Sequence, residues 1–368
     1  MIYTSILLFD FVIILSLSDG IKKPLLRKSM GDLTFATTLL TLPVFAFLVG
    51  INAQRADYKN YLQAFIDSPP LFSADFFSYA TSQHTEIGYN YFQALIKTLG
   101  GSATVFFILF CFVSLAFRYQ FCTAFISKRN VGIVLFAFLA HEFLRKDCVQ
   151  IRNGFASAIV LYSFVALYKG RRFHFVLTVL LASCFHTVVL VALPLIIART
   201  EQSPRYEKFL RLLFIVSLAL SVLFPVKNLL FVFEKVGLLP PAVVNYLYWS
   251  DYAKAMSLFN PQLLKQVAIC AYILKHRKRL FCDKKIFFFF QVYLVSTAYY
   301  LVFRDFEILA GRFGSLFSAV EAPMLVLMVL RAKKNVFMKK LALCGFYVCF
   351  LLLNMKTYTA LGWNPQWN

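Results

Sequence analysis

The chain has 368 residues, 60% of them hydrophobic and 15% charged, with a mean hydropathy of +0.70. A soluble globular protein carries about 45–50% apolar and about 25% charged residues, and disorder requires low hydrophobicity, so both classes are excluded. The 38 Lys and Arg outnumber the 17 Asp and Glu by 21. Because these charges sit in short loops between apolar runs, they argue for a polytopic α-helical membrane protein rather than a nucleic-acid partner.

Taken in chain order, the apolar runs predict spans at about 2–18, 33–50, 103–122, 131–144, 153–168, 209–225, 261–275, 286–303, 308–330 and 340–356, about ten crossings in a single domain over 1–368. Nothing basic precedes Ile6–Leu17, whereas Lys22, Lys23, Arg27 and Lys28 follow it. The first helix is therefore expected to be retained with its N-terminus outside, not cleaved as a signal. Basic clusters then fall in every second loop: Lys128 and Arg129, Lys169 to Arg172, Lys275 to Lys285, and Arg331 to Lys339. That alternation holds only if 174–198 crosses an even number of times. It predicts a broken or re-entrant hairpin bent near His186, against the alternative of one tilted helix and a missed crossing in 226–243. The outer stretches are then 51–102, 145–152, 226–260 and 304–307. In the first, Tyr58, Tyr61, Leu62 and Phe65, and again Tyr89, Phe92, Leu95 and Ile96, recur at helical spacing and predict two amphipathic helices at the outer interface. Phe287–Phe290 reads as lipid-facing filler. The eight cysteines form no CxxC pair and read as small hydrophobes; no metal or cofactor is expected.

The informative charges are Arg55, Asp57, Glu86, Arg145, Arg152, Arg304 and Arg312, with His186, all assigned to the outer interface by this topology. A charge at the bilayer centre costs about 2.5–3.5 kcal/mol on insertion scales, so such residues are functional candidates by default. Guanidinium groups make bidentate contacts with phosphate oxygens, so an outer Arg cluster suits an anionic lipid headgroup, a diphosphate above all. The competing reading is Arg–carboxylate pairing inside the bundle, with Asp57, Glu86, Asp147, Asp305, Glu307 and Glu321 available. Arg145 and Arg152 share one face only if the helix continues through Lys146 and Asp147. His186 is either a hydrogen-bonded core histidine or a functional group, a general base or a phosphate contact. The aromatic stretch from Asn245 to Tyr252, containing Tyr248 and Trp249, is either an interfacial belt or a sugar-stacking platform. No P-loop, zinc spacing or DxD motif is present.

Arg55-Ala-Asp57-Tyr58-Lys59-Asn60-Tyr61 followed by Glu86-Ile87-Gly88-Tyr89 resembles the first outer loop of the EpsG/Wzy-type polysaccharide polymerases. Gln150-Ile151-Arg152-Asn153-Gly154-Phe155-Ala156 is similar to that family's R-Q-x-x-A helix start, Cys184-Phe185-His186-Thr187 to its F-H-x-[ST] segment, and Gly311-Arg312-Phe313 to its late Arg helix. Ile87 stands where the family often has Pro, and Asn153 where it has Gln. The resemblance implies an architecture like metal-independent C-type glycosyltransferases, in the bacterial inner membrane with the active site facing the periplasm. It implies a polymerase that joins undecaprenyl-diphosphate-linked O-antigen or related repeat units, donor and acceptor both lipid-linked, with a chain-length regulator protein as a candidate partner. His186, Arg152, Arg312, Glu86 and Asp57 are then the expected catalytic residues. Arg55, Arg145, Arg304, Tyr58, Tyr61, Tyr89, Tyr248 and Trp249 are the expected substrate contacts. The competing functions are an O-antigen ligase and a lipid-linked oligosaccharide flippase or other transporter.

Overall fold

A computed structural model describes residues 24–53, 57–83, 85–239, 244, 247–248, 254–332 and 335–360. Among these residues the regular structure is entirely helical. The expected first span, with Asp10 midway along it in sequence, lies outside them. The chain divides into two compact units, residues 1–193 with 325–368, and residues 194–324, and each is described by itself.

The first unit contains α1 (Pro24–Ile51), three short helices α2 (Tyr58–Asp67), α3 (Phe76–Ser82) and α4 (Ile87–Thr98), then α5 (Ala103–Phe125) and α6 (Val131–Phe138). A π-helix (Leu139–Val149), α7 (Ile151–Tyr168) and α8 (Arg172–Ser183) follow. Ser102 starts α5 by accepting the Val105 N–H on its hydroxyl, which satisfies one of the amides a helix start leaves open. The apolar stripe of α4 does not lie on lipid. Tyr89 and Phe92 pack edge-on and tilted against Phe106 and Phe110 of α5, and Phe65 of α2 meets Phe106. Both amphipathic helices therefore turn apolar side chains inward onto α5, because its Phe-rich face is the nearest surface that can bury rings.

The stretch 145–152 is not an exposed outer loop. Winding continues from α6 through Val149, and Lys146 and Asp147 are buried. Their charges are matched within the bundle: Asp147 lies 3.2 Å from Arg118 of α5 and accepts the Ser114 hydroxyl at 2.6 Å, while Lys146 lies 3.2 Å from Glu142. Arg118 also stacks over Phe138, 3.9 Å from the ring centre. A π-helix is rare because its wider turn breaks the α-helical hydrogen-bond register. Here the Asn354 amide, from α16 (Val336–Ala360), donates to the carbonyls of Ala140 and His141 at 2.9 and 3.1 Å. The chain breaks at Gln150, so Arg145 and Arg152 stand on separate helices and the shared face does not form.

Between α8 and a 3-10 helix (Thr187–Ile197), the chain breaks at Cys184–His186, where the charge parity places a bend. The second unit carries α9 (Pro204–Leu223), α10 (Val226–Lys235), α11 (Pro261–Lys275), α12 (Arg277–Leu280), α13 (Lys284–Val302) and α14 (Glu307–Ser318), and α15 (Glu321–Leu330) leads back to the first. In its polar core Lys265 and Tyr293 reach Glu321 at 2.9 and 2.6 Å, and Thr297 donates to the Gln266 side-chain oxygen at 3.1 Å. Phe287–Phe290 are all buried and so are core, not lipid-facing filler.

Among the described residues, five helices are long and apolar enough to cross a membrane: Ala103–Phe125, Ile151–Tyr168, Lys284–Val302, Glu307–Leu330 and Val336–Lys356. A sixth is added if α9 and α10, bent by 73°, count as one span. Phe35–Ile51, Arg172–Ser183 and Thr187–Ile197 are shorter apolar helices. The chain is thus a multi-pass membrane protein with five or six full-length candidates among the described residues, where other apolar runs form shorter, bent or broken helices. The cysteines are free thiols; Cys111, Cys122, Cys148, Cys270 and Cys344 are buried.

Candidate functional site

Three segments distant in sequence meet at one carboxylate. Glu86 precedes α4 in extended conformation, and Gly88 two residues on donates its N–H to the Cys184 carbonyl at 2.7 Å. A Cβ at Gly88 would sit 2.7 Å from that oxygen, so the close crossing of α4 over the end of α8 requires glycine. Behind the crossing, Phe185 packs on Phe155 at 4.6 Å and Phe155 stacks on Phe110 at 4.2 Å, which wedges the break in place. The crossing delivers Glu86 to the start of the 3-10 helix. There Glu86 Oε1 accepts the Thr187 N–H at 3.1 Å and pairs with His186 Nδ1 at 3.0 Å.

The other oxygen, Oε2, accepts Arg152 Nη1 at 2.6 Å. Arg152 is the second residue of α7, and the approach of α7 is set by Gly154, where a Cβ would lie 2.4 Å from the Lys146 carbonyl. The guanidinium also sits over the Tyr89 ring, 5.6 Å from its centre, and the Tyr89 hydroxyl accepts from Gln93 at 3.0 Å. Relative side-chain exposures of 26% for Arg152, 18% for His186 and 13% for Glu86 leave the cluster partly open to a ligand.

Burial alone would push the Glu86 carboxyl up, but the hydrogen bond from His186 and the charge of Arg152 outweigh it and hold the group down at about 2. An ionised carboxylate only accepts hydrogen bonds, so the Nδ1 facing it carries the proton. In the neutral ring the lone pair is then on Nε2, facing away from Glu86. Chemically, the arrangement is an oriented imidazole base beside a guanidinium with one of its five N–H groups committed to Glu86.

Glu86, Tyr89, Arg152 and His186 are thus brought together, all within the first unit. Arg152 is both the expected outward cation and a carboxylate partner. Tyr61 reaches the cluster through Tyr89, its ring 6.3 Å away, while Tyr58 packs on Phe107 instead. Asp57 is exposed at the left-handed start of α2 and caps nothing with its side chain. Arg145 is half-buried in the π-helix. In the second unit, Arg304 spends its Nε on the Ser221 carbonyl at 2.6 Å, Arg312 is half-buried in α14, and Tyr248 donates to Glu234 at 2.6 Å. Arg55 and Trp249 lie outside the described residues. The buried Arg118–Asp147 and Glu142–Lys146 pairs were not singled out from sequence; Arg118 inside an apolar run was the available signal.

Helical spans and a carboxylate–imidazole–guanidinium centre at their ends define a multi-pass membrane protein with a chemically equipped site. The chain belongs to the EpsG family, whose sequence profile matches residues 35–367 and so includes every residue of that centre. No curated protein and no solved structure matches it. Family membership gives it a polysaccharide-polymerase-like role.

Proposed function

We propose that the protein extends a surface polysaccharide such as O-antigen at the outer face of the bacterial inner membrane, joining repeat units carried on undecaprenyl diphosphate. Glu86 carries the reading, since one carboxylate orients His186 with one oxygen and holds Arg152 with the other. In this reaction an acceptor sugar hydroxyl attacks the anomeric carbon of the donor glycan, the new glycosidic bond forms, and the bond to the lipid diphosphate breaks. His186 Nε2 takes the hydroxyl proton. Arg152 stabilises the negative charge that gathers on the departing diphosphate, a contribution worth most where water is excluded. Glu86 keeps the imidazole in its useful tautomer and stabilises the imidazolium, the role a buried carboxylate plays in hydrolase triads. Tyr61, half-buried beside Tyr89, is assigned to stacking against the sugar. The alternation of basic loops would put the 51–102 stretch on the periplasmic side.

The test is elongation of purified lipid-linked repeats by the full-length protein in vesicles, read as a glycan ladder. His186→Gln should slow elongation by about 10²–10⁴-fold, the usual worth of a general base, with insertion unchanged. Arg152→Ala should abolish the ladder, and Arg152→Lys should restore part of it. Full ladders from both His186→Gln and Arg152→Ala would sink the assignment. In cells, loss of polymer with a single repeat still attached is the polymerase outcome, whereas loss of all attachment would indicate a ligase.

A further inference from the structure

The second unit contains a cavity of about 290 Å³ between α9, α13 and the end of the 3-10 helix, lined by Leu195, Phe209, Leu213, Ala298, Val302 and Phe303 among others. It follows α13 from Gln291 to Phe303, twelve residues or about 18 Å at helical rise. Ligand pockets for compact molecules start at roughly 300 Å³. A volume this small drawn out over that length fits one linear hydrocarbon chain rather than a rounded solute.

One end is polar and the rest is apolar. Gln291 Oε1 accepts the Arg199 backbone N–H and the Tyr206 hydroxyl, both at 2.8 Å, and its amide donates to the Arg199 carbonyl at 2.7 Å. This clamp fixes the Arg199 backbone at the cavity mouth, where the exposed guanidinium lies 5.2 Å from the Tyr206 ring centre. The same end of the unit is strongly basic. Gln202 bonds the Phe281 carbonyl, and Arg277 lies 3.8 Å from Glu207, so the stretch holding Lys278, Arg279, Lys284 and Lys285 joins Arg199, Arg205 and Lys208 there. Of the nearby acids, Glu207 faces Arg277 and Asp283 caps α13. A basic end on a membrane helix bundle marks the cytoplasmic side, and basic pockets between helices on that side take anionic headgroups.

We propose that this cavity binds one anionic glycerophospholipid of the cytoplasmic leaflet, a single acyl chain lying along α13 and the headgroup phosphate against Arg199. The site uses none of the Glu86 cluster, so its failure and that of the proposed reaction are separable. The full-length protein, purified in mild detergent, is exposed to phosphatidylglycerol and phosphatidylethanolamine of matched chains and to a polyprenyl phosphate, and retained lipid is read by native mass spectrometry. Phosphatidylglycerol should be retained about tenfold over phosphatidylethanolamine, the scale of one charge-assisted contact. Arg199→Gln, an exposed change, should erase that preference while leaving chain retention. Ala298→Phe should reduce retention of both lipids by filling the cavity, and Leu213→Phe does the same from the facing helix if the first fails to insert. Equal retention of the two lipids, a preference that survives Arg199→Gln, or retention of a polyprenyl phosphate in place of phosphatidylglycerol would overturn the proposal.

Discussion

Glu86 shows how two neighbours divide one carboxylate's chemistry. Held at about 2, it stays ionised across the working pH range and is too weak a base to take a hydroxyl proton, so the proposed reaction gives that task to the imidazole it orients. Its folded value lies below the ordinary 4.5, so its contribution to stability is fully present above about 4.5 and is lost as pH falls through about 2. The thermal midpoints of wild type and Glu86→Gln should therefore differ at pH 7, close up as pH falls below about 4.5, and converge only below about pH 2. The gap should be on the order of 1–2 kcal/mol, after allowing for solvent screening at a partly open pair. A constant gap across that range would mean the carboxylate is not paired as described. Arg118 is a different case, because it is buried against Asp147 at 3.2 Å. Arg118→Ala strands a buried charge and should cost about 3–5 kcal/mol, whereas Arg118→Met with Asp147→Leu should recover most of it. Thermal unfolding in detergent reads both. Glu86, Arg152 and His186 were legible in the sequence because ionisable groups beside apolar runs are expensive and so conspicuous. Arg118 met the same criterion, but its partner is 29 residues away on a helix whose winding no 3.6-residue periodicity can reveal.

At the scale of elements, three glycines from the recognised motifs behave differently. Gly88 and Gly154 allow backbone to cross backbone, against Cys184 and Lys146, whereas a Cβ at Gly311 meets nothing within 4 Å. Gly88→Ala and Gly154→Ala should each lose about 1–3 kcal/mol of stability by overpacking and cut elongation further by displacing Glu86 or Arg152. Gly311→Ala, in the interior of α14, should be neutral or gain about 0.5–1 kcal/mol. Equal effects at all three sites would contradict the crossings. The break at Cys184–His186 falls where charge parity places a bend, a parity that rests on the excess of Lys and Arg in every second loop. The burial of 145–149 was not legible in the sequence: a hydropathy window scores Arg145, Lys146 and Asp147 as water-loving and cannot register that Asp147 is neutralised from α5 and Lys146 by Glu142.

For the whole molecule, helical class and membrane residence followed from composition, while the number of full-length spans did not. An apolar run says how much surface avoids water, and only the backbone says where it bends, as α9 and α10 do by 73°. Topology is open to direct measurement within the first unit. Cysteine placed at exposed Gln83 should react with an impermeant maleimide on intact spheroplasts, and cysteine at exposed Lys169 only after the membrane is opened. Labelling of both from one side would discard the parity argument and the outward-facing site with it. The separation of the site residues has a consequence for synthesis. Arg152 lies 66 residues beyond Glu86, and His186 a further 34 on, 100 from Glu86. Chains emerge N-terminus first, so the acidic and guanidinium partners can neutralise each other while the imidazole is still on the ribosome. A half-made copy can therefore hold its ion pair before the imidazole, the proton acceptor of the proposed reaction, has emerged.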